Sequence, residues 1–155
     1  MADSSLFFYG SSANRLNSKG QVSIPKRFRS VVGEDEIARG FVLIIGEHEC
    51  IYMYTHMQFE AVKERVRKIA RQENNQEFFR AFLEDAHAID LDSQGRFVLP
   101  ASLRQAAGIN GPDVLFIGLD DRIEIWAPEK RDQQRTKAAD YQEKRKREAR
   151  KIFGI

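Results

Sequence analysis

The 155-residue sequence contains one cysteine, one tryptophan and four prolines. Because a disulfide needs two cysteines, no bridge can form within the chain, which fits a reducing compartment. The longest apolar run is 41–45 (FVLII), far below the roughly 18 residues that a membrane span requires. The N-terminal segment MADSSLFFYGSS lacks the basic start and long apolar stretch of a secretory signal. These absences predict a soluble, cytoplasmic protein with no membrane partner.

Enzyme motifs are also scarce, since no Walker A, GxGxxG or GxSxG pattern occurs. Ser23 and Lys26 have the spacing of a Ser/Lys nucleophile, but Ser23 lies in a predicted strand. A zinc site needs three or four ligands in fixed geometry, and the only candidates are His48, Cys50 and His56. We therefore interpret them as one small buried cysteine and two surface histidines. We therefore expect no enzymatic activity, no metal and no cofactor.

What the sequence does contain is enough apolar mass for a packed core, with 42% hydrophobic and 31% charged residues. The net charge of +2 hides an uneven distribution. Residues 1–33 carry five basic residues and one acidic residue, whereas 34–128 carry ten and seventeen, and 129–155 carry ten and five. Two basic ends around an acidic middle favour a polyanionic partner, although solvated charged faces explain the same pattern.

An internal repeat organises the chain. Residues 17–25 (NSKGQVSIP) align with 92–100 (DSQGRFVLP), and VLIIG at 42–46 aligns with VLFIG at 114–118. Each copy predicts a glycine turn, a short strand, a short helix that begins at proline, and a two-stranded hairpin. Gly33 and Gly108 are predicted as helix C-caps. Roughly forty residues of short strands bury little core alone, so we expect the copies to pack around a pseudo-two-fold axis, as a compact barrel or an interleaved sheet.

A helical insert separates the two copies. Thr55 and Gln58 resemble a capping box, and the apolar spacing from Phe59 to Ile69 predicts one amphipathic helix. A second apolar helix around 78–83 follows, and the pair is expected to pack on its own half or on a neighbouring subunit. The composition of the tail predicts a polar helix, whose stability is marginal unless a partner covers it. The predicted parts are a first repeat at 5–54, an insert at 55–86, a second repeat at 87–127 and a basic helical tail at 128–155.

Two copies of the pattern [DN]-x-[KQ]-G-[RQ]-x-x-[IL]-P, about 75 residues apart around a helical insert, resemble the MraZ family of the AbrB-like DNA-binding superfamily. The segments at 8–10 (FYG), 106–109 (AAGI) and 124–126 (EIW) also fit, so the resemblance covers roughly residues 5–127. It implies an α+β fold of duplicated AbrB-like, β-rich half-barrels with pseudo-two-fold symmetry, a helical insert and a C-terminal helix.

The resemblance further implies a transcriptional regulator that binds promoter repeats upstream of the division and cell-wall gene cluster. It implies a ring-shaped homo-oligomer in the cytoplasm, associated with the nucleoid. In the family, two D-x-x-x-R motifs belong to the DNA-binding surface. Asp92 and Arg96 match the second motif, whereas Asn17 and Gln21 replace the usual aspartate and arginine of the first.

The candidate DNA-binding residues are therefore those of the two turns and the short helices. Asn17 and Asp92 are expected as motif partners, and the contacts to DNA are expected from Arg15, Lys19, Gln21, Lys26, Arg27, Arg29, Arg96 and Arg104.

The change at Gln21 leaves two interpretations open. Loss of an arginine removes a charged contact from each subunit, yet glutamine can hydrogen-bond an adenine edge, so the sequence preference changes or the binding weakens. The alternative function is a ring-forming protein-interaction module whose DNA binding is weak and non-specific.

Overall fold

The computed structural model describes residues 7–154. Residues 5 and 6 of the predicted first repeat and residue 155 of the predicted tail lie outside that range. The strands are β1 Ser11–Arg15, β2 Gln21–Ser23, β3 Phe41–Ile45, β4 Ile51–Thr55, β5 His87–Ile89, β6 Arg96–Val98, β7 Asp113–Leu119 and β8 Arg122–Trp126. The helices are α1 Lys26–Arg29, α2 Glu34–Arg39, α3 His56–Gln72, α4 Gln76–Glu84, α5 Ala101–Ala106, α6 Pro128–Lys137, α7 Ala139–Arg147 and α8 Ala149–Phe153, with a 3-10 turn at Glu47–Glu49.

Six strands form one sheet in the order β1-β7-β8-β4-β3-β5, and every neighbouring pair is antiparallel. This mixture of antiparallel sheet and separate helices gives the α+β class that the sequence predicts. The strands of the two repeats are interleaved: β1 of the first repeat lies outside the β7–β8 hairpin of the second, and β5 of the second lies outside the β3–β4 hairpin of the first. The equivalent strands are β1 and β5, β3 and β7, and β4 and β8. Replacing each strand by its equivalent gives the same order read from the other edge of the sheet, as a pseudo-two-fold axis requires.

The remaining two strands, β2 and β6, form a separate two-stranded ribbon. Each comes from the short motif of a different repeat. Val22 lies opposite Phe97, and these two residues are also equivalent in the sequence alignment. The two motifs, 75 residues apart in the chain, therefore meet at the pseudo-two-fold axis that relates the repeats.

A single main core is shared by the sheet, the ribbon and the short helices. Alternate strand residues point into it, as expected where one face of a strand is buried. Among its fully buried members, Phe8 packs edge-to-face on Phe28 with ring centroids 6.0 Å apart. The other large side chains with almost no exposure are Phe41, Phe97, Phe116, Ile24, Leu43, Ile51, Met53, Leu99, Ile123 and Ile125.

The insert packs on the first repeat, which was one of the two arrangements left open. The capping box predicted at Thr55 is present, with its hydroxyl accepting from the Gln58 backbone N–H at 3.1 Å. Phe59 of α3 packs against Tyr54 of β4 and stacks on Phe82 of α4. These side chains belong to a second, smaller cluster that includes Val42 and Ile44 on the outer face of β3.

Gly33 is not a helix C-cap, so that prediction is wrong. Its φ is −67°, and it is the N-cap of α2, a helix that the sequence did not reveal. The missed signal is the acidic run Glu34-Asp35-Glu36, which suits the positive end of a helix dipole. Gly108 follows Ala107, the C-cap of α5, and its φ of +69° is the left-handed conformation that commonly ends a helix. Strands β1 and β5 were also missed.

The tail is helical in three short pieces, α6, α7 and α8, rather than in one. Lys130 of α6 pairs with Glu49 at 2.8 Å, which joins the start of the tail to the first repeat. Neither α7 nor α8 has a buried residue. In the part of the chain that the structure describes, no helix has the length and apolar character needed to cross a membrane.

Candidate nucleic-acid interface

The two repeated turns have the same backbone hydrogen bonds. Oδ1 of Asn17 accepts from the backbone N–H groups of Lys19 and Gln21 at 2.9 and 3.0 Å. Oδ1 of Asp92 accepts from the equivalent N–H groups, those of Gln94 and Arg96, at 2.9 Å each. Such bonds from a short polar side chain to its own backbone stabilise tight turns. Asparagine and aspartate at the first motif position therefore stabilise the same turn.

Glycine is required at the fourth position of each turn. Gly20 and Gly95 have φ of +76° and +75°, which side-chain-bearing residues rarely adopt. Their carbonyl groups accept hydrogen bonds from the opposite repeat, Gly95 from Ile24 at 2.9 Å and Gly20 from Leu99 at 3.0 Å. Each turn is thus hydrogen-bonded to the residue that follows the ribbon strand of the other repeat, which makes the two motifs one structural unit.

The side chains within each turn also pair, but with different chemistry. Nε of Arg96 donates to Oδ2 of Asp92 at 2.8 Å, whereas Nδ2 of Asn17 donates to Oε1 of Gln21 at 3.0 Å. The hydrogen bonds from Arg96 are the main reason that the pKa of Asp92 lies below its usual value. A neutral amide pair in the first turn therefore takes the place of the ion pair in the second.

The outer face of the ribbon presents four side chains side by side. Val22 and Phe97 point inwards and are 2% exposed. Gln21 lies opposite Val98, and Ser23 lies opposite Arg96. Because side chains alternate along a strand, these four share the opposite face from the buried pair. Val98 is 55% exposed, and the other three are half-buried.

A basic groove of about 600 Å³ runs beside the ribbon. It lies between β1, the start of α1 and the turn of the second repeat. Its charged lining is entirely basic, and its remaining lining is mostly small and polar. The side chains that line it are Ser11, Ser12, Asn14, Ser23, Ile24, Pro25, Lys26, Arg27, Arg29 and Gln94.

The predicted basic residues occupy different surroundings. Arg27 folds back on the chain, where its Nη2 donates to the Ser11 carbonyl at 2.5 Å and its guanidinium lies 5.3 Å from the Phe28 ring centroid. Arg29 of the first repeat packs over Gly95 of the second. Arg15 lies beyond this groove's lining and pairs with Asp113 across the β1–β7 strand pair at 3.3 Å.

Lys19 and Arg104 lie on the opposite side of the ribbon from the basic groove. Arg104 approaches Gly20, just as its repeat equivalent Arg29 approaches Gly95. Lys19 is exposed in the first turn. At the positions equivalent to Lys26 and Arg27 this side carries Ala101 and Ser102. The surroundings of the two turns therefore differ in composition, with Lys26 and Arg27 on one side and Ala101 and Ser102 at the equivalent positions.

Two of the three residues considered for a metal site, Cys50 and His48, make other contacts. The Cys50 thiol is 1% exposed and donates to the Glu47 carbonyl at 3.3 Å, while His48 stacks on Trp126. Burial raises the pKa of the Cys50 thiol to about 12. Across residues 7–154, no group of three His, Cys, Asp or Glu side chains is arranged to hold a metal ion.

Two contributors to this surface, strand β1 and the exposed Val98, were not predicted from the sequence. Ser11, Ser12 and Asn14 enter the groove from β1, and Asn14 donates to the Ser23 carbonyl at 2.7 Å. Strand β1 has no apolar alternation that would have revealed it. Val98 lies in a strand that the motif predicts, but its exposure depends on the pairing of β6 with β2.

Comparison with known proteins shows which family this chain resembles. A family model described as "MraZ protein, putative antitoxin-like" matches residues 82–152. A protein of Syntrophomonas wolfei named "Transcriptional regulator MraZ" is 37% identical over 124 residues, covering 79% of this chain and 82% of that protein. This chain belongs to the MraZ family.

Other MraZ proteins align over similar lengths. The protein with the same name from Natranaerobius thermophilus is 36% identical, covering 81% of this chain and 84% of its own. The one from Clostridium tetani is 32% identical, covering 88% and 92%. Alignments of this length include the insert and parts of both repeats, so the MraZ relationship is not confined to one copy of the motif.

Proposed function

We propose that this chain is a sequence-specific, DNA-binding transcriptional regulator of the MraZ type. The observation that carries the proposal is the β2–β6 pairing, which brings Gln21 and Arg96 to one outer face beside a groove lined by Lys26, Arg27 and Arg29. The major groove of B-DNA is wide enough for a two-stranded β-ribbon. In the proposed complex the ribbon enters that groove, and the basic groove lies along the phosphates.

The basic residues and the ribbon residues have separate parts in this proposal. Contacts from lysine and arginine to phosphate add affinity and make it fall with salt, but they carry no direct sequence information. Base edges are contacted by the outward side chains of the ribbon. Lys19 and Arg104, together with Arg15 at the end of β1, extend the phosphate contacts to the other side. The Asn17 carboxamide and the Asp92 carboxylate stabilise their turns by accepting backbone hydrogen bonds.

The finer parts of the function are proposed with it. The targets are promoter repeats upstream of the division and cell-wall gene cluster, bound in the cytoplasm by a nucleoid-associated protein. The fold is a pair of duplicated AbrB-like half-barrels, which the interleaving of strands from the two repeats supports. The chain forms a ring-shaped homo-oligomer, and several weak sites in one ring would raise the affinity for repeated DNA by roughly 10²- to 10⁴-fold.

A titration of DNA binding by fluorescence anisotropy tests the regulator. The duplex upstream of the protein's own gene is compared with a scrambled duplex at two salt concentrations. We expect tighter binding to the native duplex and weaker binding to both at higher salt. Arg96→Ala should reduce the preference, whereas Lys68→Ala, an exposed change on α3 away from the ribbon, should bind as the wild type does. Equal binding of both duplexes by the wild-type protein would contradict the proposal.

A second candidate is a ring-forming protein-interaction module with weak, non-specific DNA binding. It is favoured by the uncharged Asn17–Gln21 turn and by the apolar side chains that α4 leaves exposed, with Phe78 at 41% and Leu83 at 38%. Under this function both duplexes should bind equally and weakly. Sedimentation velocity without DNA should show a single closed oligomer under either function, and a monomer across the micromolar range would contradict the ring.

A further inference from the structure

The guanidinium of Arg96 is fixed at one end and free at the other. Asp92 accepts from Nε, and Asp92 is itself held by two backbone N–H groups. Within residues 7–154, neither Nη group of Arg96 has a hydrogen bond or an ion pair. A fixed guanidinium with two outward N–H groups matches the O6 and N7 acceptors that guanine presents in the major groove.

The amide of Gln21 is fixed by a parallel argument. Oδ1 of Asn17 accepts two backbone N–H groups, so its Nδ2 is the donor to Gln21, and Gln21 must present Oε1 to it. The Nε2 donor of Gln21 then has no partner among the described residues, and Oε1 retains a second lone pair. A free donor beside a free acceptor matches N7 and the N6 amino group of adenine.

Val98 supplies an apolar group next to Gln21. It lies directly opposite Gln21 across the ribbon and is 55% exposed. Side chains that face each other on neighbouring strands have Cβ atoms about 5 Å apart. The major-groove edge of an A·T pair offers the adenine acceptor and donor beside the thymine methyl group, and an apolar side chain suits that methyl.

We infer that the ribbon contacts two different base pairs, a guanine with Arg96 and an A·T pair with Gln21 and Val98. This inference rests on the proposed function. Arg96 and Val98 are two residues apart on β6, about 6.8 Å, which corresponds to roughly two base-pair steps. The recognised element therefore has a direction, although the ribbon that contacts it is built from two copies of one motif.

The proposed DNA element is not two-fold symmetric because the two cross-strand pairs on the outer face of the ribbon differ in chemistry. At the Arg96 end the opposite residue is Ser23, a small hydroxyl, whereas at the Gln21 end it is Val98. The repeats exchange about the Val22–Phe97 pair, so an identical motif in both halves would have given the same base at both ends. The Asn17–Gln21 substitution makes the two ends different.

Selection of bound duplexes from a random pool tests this assignment. The wild-type protein should enrich a guanine and an A·T pair about two steps apart. The double variant N17D/Q21R, which copies the second motif into the first turn, should replace the A·T preference by guanine and leave the other position unchanged. Arg96→Ala should lose the guanine alone, with an affinity for the selected duplex roughly 5- to 150-fold weaker.

Modified bases test the individual atoms. Replacing the selected guanine by 7-deazaguanine removes the N7 acceptor and should weaken wild-type binding roughly tenfold, with little effect on Arg96→Ala. Replacing the thymine by uracil removes the methyl group and should weaken wild-type binding about fourfold, with little effect on Val98→Ser. Lys68→Ala serves as the matched control and should respond to both modified bases as the wild type does.

The outcomes separate the two proposals. No enrichment by the wild-type protein would overturn the proposed function itself. Enrichment that N17D/Q21R leaves unchanged would overturn the assignment of Gln21 while the regulator stands. If N17D/Q21R does not fold, the uracil and 7-deazaguanine measurements on the wild type still decide, because an insensitive wild-type protein would contradict both base contacts.

Discussion

Asp92 and Arg96 form an ion pair of 2.8 Å inside one turn, and Asn17 and Gln21 form a neutral hydrogen bond of 3.0 Å inside its repeat equivalent. The first motif is therefore an intact turn with different chemistry rather than a decayed one. Asparagine keeps both backbone hydrogen bonds that the aspartate makes, so the backbone does not depend on the charge. What changes is the group that each turn offers to a ligand.

The Asp92 charge should be visible in the pH dependence of stability. The pKa of Asp92 is lowered in the folded protein, chiefly by hydrogen bonds from Arg96. Its contribution is thus present above the pKa of an unfolded aspartate, about 3.9, and is lost as the pH falls through the folded pKa. Urea unfolding at several pH values should show Asp92→Asn less stable than the wild type at pH 6, with a difference that shrinks below about pH 4. A difference that is constant with pH would contradict the ion pair.

Phe97 should be among the most costly core residues to truncate. It is 2% exposed at the point where the ribbon strands from the two repeats meet, so Phe97→Ala should lower the free energy of unfolding by about 3–5 kcal/mol. The neighbouring Val98 is 55% exposed, and Val98→Ala should cost far less. Chemical denaturation monitored by circular dichroism measures both, and similar losses for the two variants would contradict the burial pattern of the ribbon.

Glu124 should be important for the environment of the single tryptophan. It is 7% exposed and accepts from Nε1 of Trp126 at 2.9 Å and from Arg122 at 3.2 Å. Glu124→Ala leaves both donors without this acceptor, and we expect a loss of about 1–3 kcal/mol together with a changed tryptophan emission. Glu124→Gln keeps an acceptor and should lie between the two proteins. An unchanged emission in Glu124→Ala would show that the hydrogen bond to Trp126 is absent.

Cys50 should be inert in the folded protein. Burial raises the pKa of its thiol to about 12 and shields it from reagents. A thiol reagent at pH 8 should therefore modify less of the native protein over an hour than of the urea-unfolded protein over a minute. Mass spectrometry gives the modified fraction. Rapid labelling of the native protein, at the unfolded rate, would contradict the buried position of Cys50.

Much of the local structure follows from local sequence. The motif turns, the short helices after Pro25 and Pro100, the capped insert helix and the left-handed Gly108 are set by residues within a few positions of each other. The repeat of 75 residues also indicates that the two halves have related structures, its short strands and hairpins predict β-rich halves, and the family resemblance implies the α+β class. The candidate residues of both turns are recognisable for the same reason.

The arrangement of those pieces is decided only by tertiary pairing. Which strand of one repeat lies beside which strand of the other depends on contacts between residues far apart in the chain, and nothing near Val22 indicates Phe97 as its partner. The same holds for Arg29 over Gly95 and for β1, whose polar residues become a strand only by pairing with β7. The sequence by itself determined the two motifs and their chemistry. The fold determined that Gln21 and Val98 stand opposite each other on one face, because cross-strand register is set by the packing of the whole core.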